Sequence, residues 1–110
     1  MGLETLLDDG VYLTEATDIA KYRVDIVGDI ESTPRGVMRP RTTEEVSQIM
    51  AWCHTNNVAV IPQGGNTGLC GGCIPKDLDS AVILSTDRMN QVRDLDILGN
   101  TITVEAGCVL

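Results

Sequence analysis

Val60-Ile61-Pro62-Gln63-Gly64-Gly65-Asn66-Thr67-Gly68-Leu69-Cys70-Gly71-Gly72-Cys73-Ile74-Pro75 is a short apolar lead-in that runs into bare backbone. Gly64, Gly65, Gly68, Gly71 and Gly72 are five of the chain's 11 glycines. Each glycine costs backbone entropy on folding, so a packed core has no use for so many together. They offer access to positive φ and room for another group to lie against the main chain. Successive N–H groups can then converge into a concave nest that holds an anion. The stretch therefore reads as a phosphate cradle.

Working outward, residues 58–61 are apolar without alternation, as a buried parallel strand is. The preceding segment gives the clearest helix, over 43–56. Thr42 and Glu45 form a Thr-x-x-Glu capping box, and Glu44 and Glu45 suit the positive end of the helix dipole. Val46, Ile49, Met50 and Cys53 fall at i, i+3, i+4 and i+7, one buried stripe. Asn56-Asn57 supplies a left-handed stop. A strand over 36–39, ended by Pro40, precedes the helix, so strand, helix and strand make a β-α-β unit with a right-handed crossover.

Beyond the glycines, residues 80–85 read as another apolar strand. Residues 89–96 and 101–106 read as two antiparallel strands joined near Leu98-Gly99-Asn100. Ile102, Val104 and Ala106 alternate with Thr101, Thr103 and Glu105, which predicts one wet face. At the N-terminal side, residues 3–7 and 14–22 read as short helices and 25–35 as an acidic loop. The expected division is an N-terminal extension over 1–35 and an α/β (α+β) unit over 36–110. That unit holds the β-α-β element and the first hairpin of a second sheet. A chain that stops just after an uncovered hairpin reads as a truncated piece of a longer protein.

The 110 residues allow one small domain, and 43% hydrophobic content suits a globular chain. Sixteen acidic against eight basic residues leave a net charge of −8, which disfavours nucleic acid and anionic membranes as partners. No apolar run approaches the ~20 residues needed for a membrane span. Residues 1–9 are acidic and lack a basic stretch, which predicts a cytoplasmic protein. Cys70 and Cys73 have zinc or redox spacing, but no second such pair exists, and His54 beside Cys53 has no ligand spacing. The four cysteines are expected to be free and no metal is expected.

Between Ala59 and Pro75 there is no Lys or Arg, so an anion there must rest on backbone dipoles and hydroxyls. The dinucleotide fingerprint G-x-G-x-x-G fails, because its third place is Asn66 from Gly64, Thr67 from Gly65 and Cys70 from Gly68. The kinase glycine loop fails likewise. The P-loop fails because no Lys follows the glycines until Lys76.

What remains, strand-Pro-x-Gly-Gly-x-Thr-Gly and then Gly-Gly, resembles the pyrophosphate loop of the FAD-binding domain of the para-cresol methylhydroxylase and vanillyl-alcohol oxidase family. The resemblance runs from Gly36 to Leu110. It takes in Arg39-Pro40, the Thr-Thr-Glu-Glu-Val helix start, the glycine loop, Ile83-Leu84-Ser85, Arg88-Met89-Asn90 and Val104-Glu105-Ala106-Gly107. Gly-Gly-Asn-Thr-Gly-Leu is most similar to the D-2-hydroxy-acid dehydrogenase branch, which includes D-lactate and D-2-hydroxyglutarate dehydrogenases and the FAD subunit of glycolate oxidase.

The resemblance implies that Gly64, Gly65, Asn66, Thr67 and Gly68 wrap the FAD pyrophosphate, with the Thr67 hydroxyl donating to a phosphate oxygen, and that Pro62 is among the cofactor-binding residues. It places Gly72 and Cys73 against the cofactor farther along and Pro40 near the adenine. Some relatives carry a His at the place of Asn66 and bond it to the flavin; Asn cannot, so FAD is expected to be non-covalent. Arg88 reads as a solvated loop residue or a cofactor neighbour. The implied partners are a 2-hydroxy-acid substrate and an unknown electron acceptor, with a homodimer as the assembly. Substrate, catalytic base and any metal fall to a following domain, so no catalytic residue is assigned. The alternatives are a non-catalytic nucleotide-binding module, or another flavoenzyme on this scaffold such as a UDP-sugar enolpyruvyl reductase.

Overall fold

Four strands form a mixed sheet in the order β1 (Tyr12–Leu13), β2 (Gly36–Met38), β4 (Val82–Ser85), β3 (Val60–Gln63). The computed structural model describes residues 2–7, 10–28, 30–75 and 80–110. Position 29 of the expected 25–35 loop lies outside these. β2, β4 and β3 run parallel, and β1 adds antiparallel to β2.

The expected β-α-β unit is present, with β2 and β3 parallel and joined by the helix over 43–55, and β4 inserts between these two strands. Burial explains the choice. All four residues of β4 are buried, as befits a strand covered on both faces. β3 carries Pro62, which has no N–H to give a second neighbour, and it takes the edge.

α2 spans Thr43–Thr55. The Thr42 hydroxyl accepts from the Glu45 amide at 3.1 Å, while the Glu45 carboxylate accepts from the Arg41 amide at 3.0 Å, one residue before the expected cap position. Asn57 ends the helix in the left-handed region, φ 54°. Ile49 and Cys53 are buried and Val46 is half-buried, but Met50 is 46% exposed, contrary to the stripe expected for it. The buried face is narrower than the apolar face because a single sheet surface receives it.

Alternation along the strands divides the core between the two sheet faces. Met38, Val82 and Leu84 pack with Ile49, Cys53, Leu3 and Val11. Val37 and Ile83 pack with Ile19 and Tyr22. The N-terminal segment thus contributes to both cores. Its helices are short: one 3-10 turn at Leu3–Thr5, then α1 (Ala16–Ile19) and a second 3-10 turn, Ala20–Tyr22. A Cβ at Gly36 would run into the outer end of the Tyr12 ring, which would have to move aside.

β5 (Val92–Asp96) and β6 (Thr101–Val104) form the expected antiparallel hairpin, with a register shift between Val92 and Asp94. The hairpin is uncovered, as expected: the alternating pattern leaves one face wet, and the apolar face is exposed too, since every residue of both strands is exposed and none of the described elements covers that side. The hairpin is joined to the sheet through the 86–91 turn. There the Gly107 amide donates to the Met89 carbonyl at 2.8 Å and the Glu105 amide to the Gln91 carbonyl at 3.0 Å.

Candidate functional site

Parallel strands bring their carboxyl ends to one edge of the sheet, which is where open α/β sheets leave a crevice for ligands. β3 delivers the glycine loop to this edge, β4 delivers Ser85 and Asp87, and β2 delivers Arg39. Gln63, the last residue of β3, is a buried amide in an otherwise apolar strand. Its Nε2 donates to the Tyr22 carbonyl at 2.8 Å and to the Cys73 carbonyl at 3.0 Å. It therefore holds the two ends of the loop region to the N-terminal segment.

Asn66 performs the second half of that attachment. It stands at φ 56°, a conformation Asn tolerates better than most residues. Its Nδ2 donates to the Val24 carbonyl at 2.7 Å, and its Oδ1 accepts from the Cys73 thiol at 3.1 Å. Both polar ends of this side chain are committed within the chain.

The backbone between these anchors is open. None of the amides of residues 64–73 donates to another described residue, and the Thr67 hydroxyl makes no hydrogen bond among them. Backbone N–H groups are obligatory donors, so an exposed run of them is held by water or by a ligand. A cavity of about 350 Å³ lies here, lined by residues 64–70, 72 and 73. Side chains added at Gly64 or Gly72 would meet nothing within 4 Å. The chain's own packing thus does not explain these glycines; the space their missing side chains leave opens onto the cavity. Only Gly71 among the loop's glycines is left-handed, φ 76°.

A second cavity of about 350 Å³ adjoins the first and is lined by Lys21, Tyr22, Ile26, Gln63, Gly64, Gly65, Asn66, Ser85 and Asp87. Asp87 is its charged centre. The Tyr22 hydroxyl donates to Asp87 Oδ2 at 2.5 Å, Arg39 Nε donates to Oδ1 at 3.1 Å, and Lys21 Nζ stands 3.8 Å from Oδ2. Burial, then the bond to Asp87, pushes the Tyr22 hydroxyl up to about 12. Burial alone would raise Asp87, but the Tyr22 hydroxyl and the Arg39 guanidinium outweigh it and hold the carboxyl below its ordinary value.

The structure gathers Gly64, Gly65, Asn66, Thr67, Gly68, Gly72 and Cys73 around the first cavity. Pro62 is exposed on the edge strand, Pro40 is fully buried after β2, and neither lines either cavity. Arg88 donates to the Gly10 carbonyl at 3.0 Å and the Arg39 carbonyl at 3.4 Å, which makes it a brace for the main chain. Sequence reasoning gave no role to Gln63, although an amide ending an apolar strand was a visible signal. It also missed Lys21, Tyr22 and Asp87, whose meeting depends on distant segments. The four cysteines are free, and no metal-binding group of three or more His, Cys, Asp or Glu is gathered among the described residues.

A sheet whose carboxyl edge presents a glycine cradle of unpaired amides is the architecture of a nucleotide-binding domain. The chain belongs to the FAD binding domain family, whose model matches residues 34–110. It is 43% identical to the mitochondrial D-2-hydroxyglutarate dehydrogenase of Danio rerio over 92% of this chain and 19% of that protein. A Schizosaccharomyces pombe protein named for mitochondrial D-lactate dehydrogenase is 32% identical over 100% of this chain and 21% of its own length. The chain thus spans about a fifth of the length of these relatives. Among solved structures, p-cresol methylhydroxylase with substrate bound superposes with a TM-score of 0.79 at 21% identity, over 96% of this chain and 21% of that one. That likeness establishes the fold, a portion of the FAD-binding domain of this family. The observed cradle suits the group the family is named for: unpaired amides for a diphosphate, and glycines where side chains would stand in its way.

Proposed function

We propose that this chain holds the diphosphate half of a non-covalent FAD in a flavoprotein that oxidises a D-2-hydroxy acid to the 2-keto acid. The observation that carries the reading is the run of amides over 64–73 with no partner among the described residues, lining a cavity beside the carboxyl edge of the sheet. When bound, FAD supplies a two-electron acceptor for the hydride lost from the hydroxy-acid carbon.

The chain's own part is binding and orientation. Gly64, Gly65 and Gly68 let the backbone approach the diphosphate, and the unpaired Thr67 hydroxyl donates to a phosphate oxygen. Gly72 and Cys73 close the far wall, and Pro62 fixes the strand end that delivers the loop. Pro40 supports the adenine side from within the core. Asn66 shapes the loop, and its engaged amide leaves no group for a covalent flavin bond. The substrate class is supported by the names of the relatives, and the base that removes the hydroxyl proton is assigned outside these residues. An external electron acceptor and a homodimer complete the proposal, the second readable by analytical ultracentrifugation. Cytoplasmic residence also stays a proposal. No helix of the described residues is long and apolar enough to cross a membrane, while both relatives are named mitochondrial; cell fractionation separates the two compartments.

The test is the absorbance spectrum of the full-length protein, followed by bleaching with a panel of D-2-hydroxy acids. A flavin spectrum bleached by one D enantiomer and not its L partner is the expected result. A colourless protein, or a flavin that no hydroxy acid reduces, overturns it. The 110 residues alone are expected to show no turnover and weak FAD binding. A nanomolar Kd on them would contradict the second expectation.

A further inference from the structure

We infer that Lys21 supplies the cationic contact to the cofactor diphosphate that the glycine loop itself lacks. The inference rests on the FAD reading above. It concerns a residue outside the matched family region of 34–110.

The loop presents dipoles and one hydroxyl but no cation, within a chain of net charge −8 that repels an approaching nucleotide. The fold supplies a cation from elsewhere. Lys21 lines the second cavity together with Gly64, Gly65 and Asn66, the start of the cradle. Its position there is built by hydrogen bonds. Gln63 and Asn66, the two amide side chains that bracket Gly64 and Gly65, donate to the carbonyls of Tyr22 and Val24 on either side. Asn66 Nδ2 also reaches the Lys21 carbonyl at 3.4 Å. The 21–24 segment is thereby fixed to the loop.

The charge of Lys21 is available. Its nearest acidic group is Asp87, at 3.8 Å, and the Lys21 side chain is 70% exposed. Asp87 accepts hydrogen bonds from the Tyr22 hydroxyl and from Arg39, both closer than Lys21, whose charge is its more distant partner. The ammonium also lies 4.9 Å from the Tyr22 ring centre, a contact that keeps it at the cavity rim. Among the described residues lining the two cavities, Lys21 is the only Lys or Arg. A diphosphate oxygen in hydrogen-bond contact is a stronger partner for it than a carboxylate 3.8 Å away that also accepts from two other donors.

The experiment titrates FAD, and separately riboflavin, into the apo form of the full-length protein and its Lys21→Gln and Lys21→Arg variants, following flavin fluorescence. Lys21→Gln is expected to weaken FAD about fivefold at low salt, as an exposed charge contact does. The deficit shrinks at high salt, where such contacts are screened. Lys21→Arg restores binding, and riboflavin, which has no phosphate, binds all three proteins equally. Equal FAD affinity in Lys21→Gln and wild type overturns the inference and leaves the FAD reading standing. So does a riboflavin loss as large as the FAD loss, which would signal general damage to the fold. A wild-type protein that binds no FAD sinks the FAD reading itself, and this inference with it.

Discussion

The side-chain amide of Asn66 donates to the backbone carbonyl of Val24 at 2.7 Å, and this bond fastens the glycine loop to a segment 42 residues earlier in the chain. Asn66 is therefore a shaping residue whose function is exerted through the backbone around it. Asn66→Gly keeps the left-handed backbone accessible and deletes the side-chain bonds, at an expected cost of about 1 kcal/mol, to which glycine's freer unfolded chain adds about 0.5 kcal/mol. Asn66→Ala deletes the same bonds and adds roughly 1 kcal/mol of left-handed strain. Urea denaturation of the two variants reads the difference. Equal stabilities would mean that φ at this position is not held where the structure has it.

The Tyr22–Asp87 pair makes stability depend on pH at both ends of the scale. The folded state raises Tyr22 from 10.0 to about 12, so it favours the protonated phenol. That contribution is complete below pH 10 and is lost as pH rises from about 10 to about 12. Asp87 is lowered from 3.8, so its contribution is present above that value and disappears as pH falls below it. Tyr22→Phe is expected to flatten the alkaline limb of the stability curve, and Asp87→Asn the acid limb. Urea midpoints across the pH range check both. An alkaline limb of wild-type steepness in Tyr22→Phe would assign it to other groups.

Legibility in the sequence followed the range of the interaction. α2 was readable end to end because its signals are local: a hydroxyl cap at Thr42, acids in the first turn, an apolar period and a left-handed Asn57. Met50 misled because a helical period marks an apolar face without saying how much of it a neighbour covers. β1, two residues long, is too short to show alternation, and β4's central place depends on pairings made across the whole chain. The same split runs through the site. The glycines announced a cradle from composition alone. The wall formed by Lys21, Tyr22 and Asp87 is made by segments that only the sheet brings together, and it had no local signature.

The cap on α2 gives a prediction free of any cofactor. Thr42 Oγ1 satisfies the Glu45 amide at the helix start, one of the groups a helix leaves without an internal partner. Thr42→Ala is expected to cost about 1 kcal/mol, and Thr42→Ser to retain most of the stability. Chemical denaturation of the two variants distinguishes a cap from simple loss of a methyl group, because serine lacks the methyl and keeps the oxygen.

Two glycines separate folding from binding. A Cβ at Gly107 would land on the Thr86 carbonyl oxygen and crowd the Met89 carbonyl, where the Gly107 amide is bonded. Gly107→Ala must therefore displace the turn that joins hairpin to sheet, at about 1–3 kcal/mol as for other overpacked sites. A Cβ at Gly64 meets nothing within 4 Å, and its φ is not left-handed. Gly64→Ala leaves the fold intact and, by restricting the unfolded chain, is expected to stabilise the apo form by about 0.5 kcal/mol. If the diphosphate lies against the loop, that same methyl stands in its place, and FAD affinity falls at least tenfold while Tm of the apo form does not. Thermal melts of apo protein beside FAD titrations give both numbers for each variant. A Gly64→Ala protein that binds FAD as tightly as wild type would leave the loop's bare backbone without the purpose argued for it.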